Sequence, residues 1–171
     1  WISERDGYRH LYLYRNDGTL VRQLTQGPWD VTDFHGVDER SGWVYFTATI
    51  DGPRERHLYR VPLRPEASNG QAPTPQRITQ EPGTHDVSIS GDFRYYIDTH
   101  TRFLQPPVVT LHRITGEQIA VLEGNEALRE RLAAYGLRPP EFFTVPGADG
   151  TPLQAYLIKP SDFDSTKQYP L

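Results

Sequence analysis

Arg9-His-Leu-Tyr12 and Arg56-His-Leu-Tyr59 are the same four residues written twice. Each copy is answered downstream by a second shared phrase, Leu24-Thr25-Gln26 after the first and Ile78-Thr79-Gln80 after the second. A chain that restates itself at a period of about 50 residues in strand-forming residues carries the signature of a stacked or radial β repeat, such as a propeller blade. The copies are offset by 47 residues at the first phrase and by 54 at the second, so the later copy holds an insertion between its phrases. The proline-rich, polar run Arg64 to Pro75 has no hydrophobic period and supplies that insertion as a long strand-to-strand loop.

Within the period, apolar runs alternate with turn residues. Val31 to Val37, Trp43 to Ile50, His57 to Leu63 and Gln76 to Thr79 read as four strands, with Asp38-Glu-Arg-Ser-Gly42 turning the first into the second. Aromatic and β-branched residues such as Trp43-Val-Tyr-Phe-Thr-Ala-Thr49 suit a pleated, half-buried surface. The next cycle lies on the same frame as His85 to Ser90, Phe93 to Thr99, Val108 to Ile114 and Gln118 to Leu122. Its tight turns are Ser90-Gly91-Asp92 and Ile114-Thr-Gly-Glu117. Trp1 to Ser3, Tyr8 to Tyr14 and Leu20 to Thr25 fit three outer strands of a preceding blade. Strand alternation then places Leu11 and Leu58 between sheets, with Tyr12 and Tyr59 on the opposite face.

After Leu122 the period stops. Leu128, Leu132 and Tyr135 fall on one face of a helix over residues 126 to 135, with Asn125 as N-cap, Glu126 at the positive end of the dipole, and Gly136 and Pro139-Pro140 as the stop. Phe142 to Val145 and Leu153 to Ile158 flank Asp149-Gly150 as a hairpin. The stretch from Pro160 to Leu171 reads as a loop with a strand about to begin. The domain reading is therefore propeller blades over 1–122, a linker helix over 123–140, and the start of another domain over 141–171.

At 171 residues the chain is too short for a closed propeller of seven or eight blades, and Trp1 is read as interior to something larger. No apolar run approaches the length of a membrane helix and no leader-like segment opens the chain. The net charge of −4 is dispersed, which argues against a nucleic-acid surface. With no Cys there are no disulfides, thiolate nucleophiles or Cys-based zinc sites. His10, His35, His57, His85, His100 and His112 form no metal-binding motif, and His10 and His57 recur at equivalent repeat positions, where a structural hydrogen bond to a turn carbonyl is the natural role. Trp29, Trp43, Tyr95 and Tyr96 read as inter-sheet core in preference to a stacking platform for sugars or single strands. No G-x-S-x-G elbow occurs, so Ser, His and Asp do not assemble a triad by motif.

Several strings together resemble the last propeller blades of the dipeptidyl peptidase IV family of serine peptidases. They are Ser3 to Tyr12, Thr25-Gln-Gly-Pro-Trp-Asp-Val31, Arg56 to Arg60, Glu81-Pro-Gly-Thr-His85 with Val87-Ser88, Pro106-Pro107, and Leu122-Glu with Asn125-x-Ala-Leu128. Pro160 through Phe163-Asp164, then Lys167-x-Tyr169-Pro170, is similar to that family's lead-in to an α/β-hydrolase domain. The resemblance implies a mainly β fold, about two and three-quarter four-stranded blades of an eight-bladed propeller, followed by a short helix and a hairpin that begins the hydrolase. It implies a parent enzyme that releases N-terminal dipeptides after Pro or Ala by Ser-His-Asp chemistry, with the propeller restricting access to short or unfolded peptides. The family's oxyanion Tyr would lie past Leu171, and its amine-gripping glutamates and carbonyl-contacting Arg would lie before Trp1. Residue by residue, this chain is therefore expected to carry no catalytic, substrate-binding, cofactor or metal residues and to be inactive alone. Its expected partners are peptide substrates of the parent and further copies of the chain. A periplasmic or secreted location follows from the resemblance only. The alternative is a propeller-type interaction module without chemistry, which the hydrolase-like junction at 160–171 argues against.

Overall fold

A computed structural model describes residues 1–64 and 72–169. Of the predicted insertion loop, residues 65–71 lie outside the described residues, as do Pro170 and Leu171 of the junction.

The chain divides into two compact units, the first comprising Trp1–Arg102 and Pro107–Gly124. In this unit β1 (Ile2–Ser3), β2 (His10–Tyr14) and β3 (Leu20–Gln23) form a three-stranded sheet in chain order. The strands β4 (Val31–Asp38), β5 (Trp43–Ala48), β6 (His57–Pro62) and β7 (Gln76–Arg77) form a four-stranded sheet, also in chain order. So do β8 (Thr84–Ile89), β9 (Tyr95–Arg102), β10 (Gln105–Arg113) and β11 (Gln118–Glu123). The strands pair antiparallel, as short meander connections require. Each predicted strand is present. The run from Tyr8 enters its sheet only at His10, and the run from Gln76 leaves it after Arg77, because Ile78 and Thr79 turn their polar groups to β6.

Two cores form where strand alternation delivers side chains to opposite faces. Val44, Phe46 and Ala48 of β5 join Tyr59 and Val61 of β6 in one cluster that also holds Leu11, Leu24, Trp29 and Val31. Tyr45 of β5 and Leu58 of β6 face the other way, into a second cluster with Ile78, Val87 and Tyr96. Leu58 and Tyr59 thus point to opposite faces, as the repeat predicts, and both are buried. Phe46 stacks between Trp29, at 6.3 Å, and Tyr59, at 6.0 Å. Trp29 and Tyr96 take the core role assigned to them, while Trp43 packs half-buried against the second cluster with the Arg60 guanidinium 4.2 Å over its ring. Tyr95 does not: it is only half-buried and lies beneath the Arg94 guanidinium, 5.6 Å from its ring centroid, because it alternates with Tyr96 and faces away from the core.

The repeated arginines stitch neighbouring sheets through their backbones. Val31 N–H donates to Arg9 O at 2.8 Å, and His85 N–H donates to Arg56 O at 3.0 Å, so each copy of the repeat meets the first strand of the following sheet.

The second unit contains Phe103–Pro106 and the chain from Asn125 onward. Its helix α1 (Glu126–Ala134) carries Glu126 in the first turn, and Gly136 at φ 60 takes the left-handed backbone that ends it. Asn125 opens the helix in the left-handed region and makes no side-chain cap bond, so the sequence-based capping role is corrected: that backbone is not the extended conformation from which an N-cap side chain reaches the first turn. No residue of α1 is buried. The hairpin β12 (Glu141–Pro146) and β13 (Pro152–Leu157) pairs from Glu141 with Leu157 to Pro146 with Pro152. Phe103 sits against Phe142 and Tyr156, with ring centroids 6.4 and 5.8 Å away.

Candidate functional site

The two repeat copies build the same polar device at equivalent places. Leu11 N–H donates to Thr25 Oγ1 at 2.9 Å, and His10 Nδ1 lies 3.1 Å from the same hydroxyl. Leu58 N–H donates to Thr79 Oγ1 at 3.1 Å, and His57 Nδ1 again lies 3.1 Å from that hydroxyl. Below them Leu24 N–H donates to Leu11 O and Ile78 N–H to Leu58 O, both at 2.8 Å. Tyr12 O–H donates to Asp6 at 2.6 Å, and Tyr59 O–H donates to Asp51, which also accepts from the Arg77 guanidinium at 3.3 Å. The shared words of the repeat are therefore a shared hydrogen-bond circuit.

The remaining ring nitrogens distinguish the copies. His10 Nε2–H donates to the Gly27 carbonyl at 2.9 Å, the turn carbonyl expected. His57 Nε2–H meets the Glu55 carboxylate instead, at 3.2 Å, and that carboxylate also accepts from Gly83 N–H at 2.6 Å. The carbonyl predicted for His57 is thus corrected to a side-chain acid, because Glu55 sits two residues before it and binds the following sheet's entry turn.

The electrostatics follow from burial. Burial first, then the Asp6 acceptor, pushes the Tyr12 phenol up to about 12. Burial likewise raises Tyr59, assisted by Asp51, and raises Tyr96, assisted by the charge of Asp98. Burial pushes the His57 imidazole below its ordinary value, with Arg77 and His85 adding to the effect and Glu55 opposing it. His35, whose Nε2 lies 2.7 Å from Thr47 Oγ1, is lowered by burial as well.

At the seam between the second and third sheets the histidines gather. His57 and His85 have ring centroids 4.9 Å apart, and His85 and His100 stack at 4.6 Å. His85 Nδ1 lies 2.7 Å from Asp98 Oδ2, and its Nε2 lies 2.8 Å from Glu81 O. A cavity of about 350 Å³ beside them is lined by Thr79, His85, Tyr96, Asp98, Thr110 and His112 among others. Both ring nitrogens of His10, His57, His85 and His112 are engaged within the chain, those of His10, His57 and His112 each including a threonine hydroxyl. Among the described residues, no three His, Asp or Glu are grouped to hold a metal ion. No residue was singled out from sequence as catalytic or ligand-binding. The His85–Asp98 pair is the feature sequence reading missed, and the His-x-Val-x-Ile alternation of β8 gave no signal for it.

Successive antiparallel sheets, packed face to face through alternating side chains and stitched at equivalent arginines, define a partial β-propeller. The description "Dipeptidyl peptidase IV (DPP IV) N-terminal region" matches residues 1–107, and the chain belongs to that family. It is 31% identical over 172 residues to a dipeptidyl peptidase 4 of Arthroderma otae, covering 99% of this chain and 21% of that protein. To a dipeptidyl-aminopeptidase B of Aspergillus niger it is 34% identical over 170 residues, covering 97% of this chain and 18% of that one. The crystal structure of Porphyromonas gingivalis dipeptidyl peptidase 4 superposes with a TM-score of 0.86 at 38% identity, over 99% of this chain and 23% of that chain. The chain thus spans about a fifth of the length of these relatives.

Proposed function

We propose that this chain is a non-catalytic portion of a serine exopeptidase of the dipeptidyl peptidase IV kind, whose full-length form releases dipeptides from peptide N-termini after Pro or Ala. The supporting observation is a match over 99% of the chain to a dipeptidyl peptidase 4, in a sequence with no G-x-S-x-G. Residues 1–122 would be propeller blades, 123–140 a linker, and 141–171 the opening of the hydrolase domain. The blades act as a wall that restricts peptide access and contribute no catalytic, cofactor or metal residue. Peptides are the parent's substrates, and further copies of the chain are its partners.

The test has two arms. The purified chain is assayed with Gly-Pro and Ala-Pro chromogenic amides and a fluorophosphonate probe, alongside the full-length parent. Cleavage by the parent with none by the chain is the expected result. Specific labelling of a serine in the chain would overturn the non-catalytic assignment, and a parent inert toward both amides would overturn the substrate class.

A further inference from the structure

The two seams between successive sheets are filled differently at matching positions. Leu63 N–H donates to Gly42 O and Ile114 N–H to Arg94 O, so the close of β6 on β5 corresponds to the close of β10 on β9. Four residues on from Gly42 and Arg94 stand Phe46 and Asp98; four before Leu63 and Ile114 stand Tyr59 and Thr110. Between the first and second sheets, Phe46 stacks on Tyr59 at 6.0 Å within the core. Between the second and third sheets neither counterpart carries a ring, and Asp98 and Thr110 line the cavity of about 350 Å³. The chain thus packs one seam with aromatic side chains and leaves the matching place in the next unfilled.

The walls suit a flat ring. Tyr96, Asp98 and His100 are alternate residues of β9 and share one face. Tyr96 stacks with His112 at 4.8 Å and His100 with His85 at 4.6 Å, so a ring pair borders Asp98 on either side along the strand. Between them is one unanswered acceptor. Asp98 is 4% exposed, its Oδ2 engages His85 Nδ1 at 2.7 Å, and its Oδ1 is buried with no hydrogen-bond partner among the described residues. Leaving a buried acceptor unmet is costly, and a donor brought by a guest offsets that cost. We propose that this cavity binds a flat aromatic molecule with a ring N–H, of the indole class, packed among these rings with its N–H donated to Asp98 Oδ1. The volume falls within the range of about 300–1,000 Å³ usual for small-molecule sites. Gln80, Glu81 and Gln118 are exposed at its rim, which gives a guest a path from solvent that parts neither sheet.

Titration of the 171-residue chain with indole, followed in ¹H–¹⁵N spectra, tests this directly. Saturable shifts centred on Tyr96, Asp98, Thr110 and His112 are the expected result. Benzofuran has the same shape with an oxygen in place of the N–H, and should bind about threefold to tenfold more weakly, the scale of one net hydrogen bond. Thr110→Tyr restores the ring that the other seam carries and should abolish indole binding. Absence of saturable shifts at millimolar indole would mean that the cavity holds water only, and would overturn the proposal. Shifts centred on another surface would overturn the site, and equal affinity for the two probes would overturn the Asp98 contact. If Thr110→Tyr does not fold, the two probes on the wild-type chain decide.

Discussion

Thr79 Oγ1 lies 3.1 Å from His57 Nδ1, at the centre of a circuit that the first repeat copies with Thr25 and His10 at the same distance. The hydroxyl also accepts the Leu58 N–H at 3.1 Å, so one side-chain atom satisfies a buried backbone donor and a buried ring nitrogen together. Thr79→Val keeps the shape and removes both bonds. It should lower stability by about 2–4 kcal/mol, the scale of leaving two buried groups unmet, while Thr79→Ser should retain most of it. Urea midpoints of the two variants provide the check, and a Thr79→Val midpoint equal to wild type would show that the circuit contributes nothing.

Leu58 is fully buried in the second core, against Tyr45, Ile78, Val87 and Tyr96. Its truncation to Ala leaves a cavity among rigid aromatics, and thermal melts should show a loss of about 2–4 kcal/mol. Leu20→Ala, on an exposed edge position of β3, should change stability by less than about 0.5 kcal/mol. Similar losses at both positions would mean that the assigned faces are wrong.

The repeat was legible because one strand carries three instructions at once. Leu58 and Tyr59 alternate between two faces, and Arg56 sits where its backbone meets the next sheet. Thr25 and Thr79 stood in the shared phrases, yet their bridging role was hidden, since a hydroxyl can serve a turn, a strand or solvent equally well and its partner is on another strand. The His85–Asp98 pair was not legible for a geometric reason. In the β8–β9 ladder His85 stands opposite His100 and Asp98 stands opposite Val87, so the two groups meet on a diagonal that depends on register. The helix stripe of Leu128, Leu132 and Tyr135 was legible as a helix, but α1 buries none of it, and periodicity alone does not say what covers a face.

Acid should weaken the fold through His57. Burial holds its folded-state value below the ordinary one, so in acid the unfolded chain binds a proton that the folded chain refuses. The unfolded state then carries more protons, and stability rises with pH. The contribution is fully present above about 6.5, the unfolded value, and is lost as pH falls from there through the lowered folded value. His35, also lowered by burial, acts with the same sign. Urea midpoints between pH 5 and 7.5 should therefore fall on the acid side, and His57→Asn should flatten that fall. An unchanged slope in His57→Asn would assign the acid sensitivity elsewhere.

Strand β11 ends its sheet with β10 on one side, and Ile119, Val121 and Leu122 are 45%, 54% and 52% exposed along it. An edge strand with free backbone groups and uncovered apolar side chains is a template for pairing with another chain. Its sequence Gln118-Ile-Ala-Val-Leu-Glu123 holds no Lys, Arg or Pro to discourage such pairing. The isolated 171-residue chain should therefore self-associate at low micromolar concentration. Multi-angle light scattering on the wild type and on an Ile119→Lys/Val121→Lys double variant measures this directly. The expected result is a concentration-dependent mass for the wild type and a monomer for the variant, since a charge on each exposed position opposes edge-to-edge approach while leaving the buried seams untouched. A wild-type chain that stays monomeric across that range would show that β11 is protected without a cover, and persistence of the oligomer in the double variant would move the association to another surface.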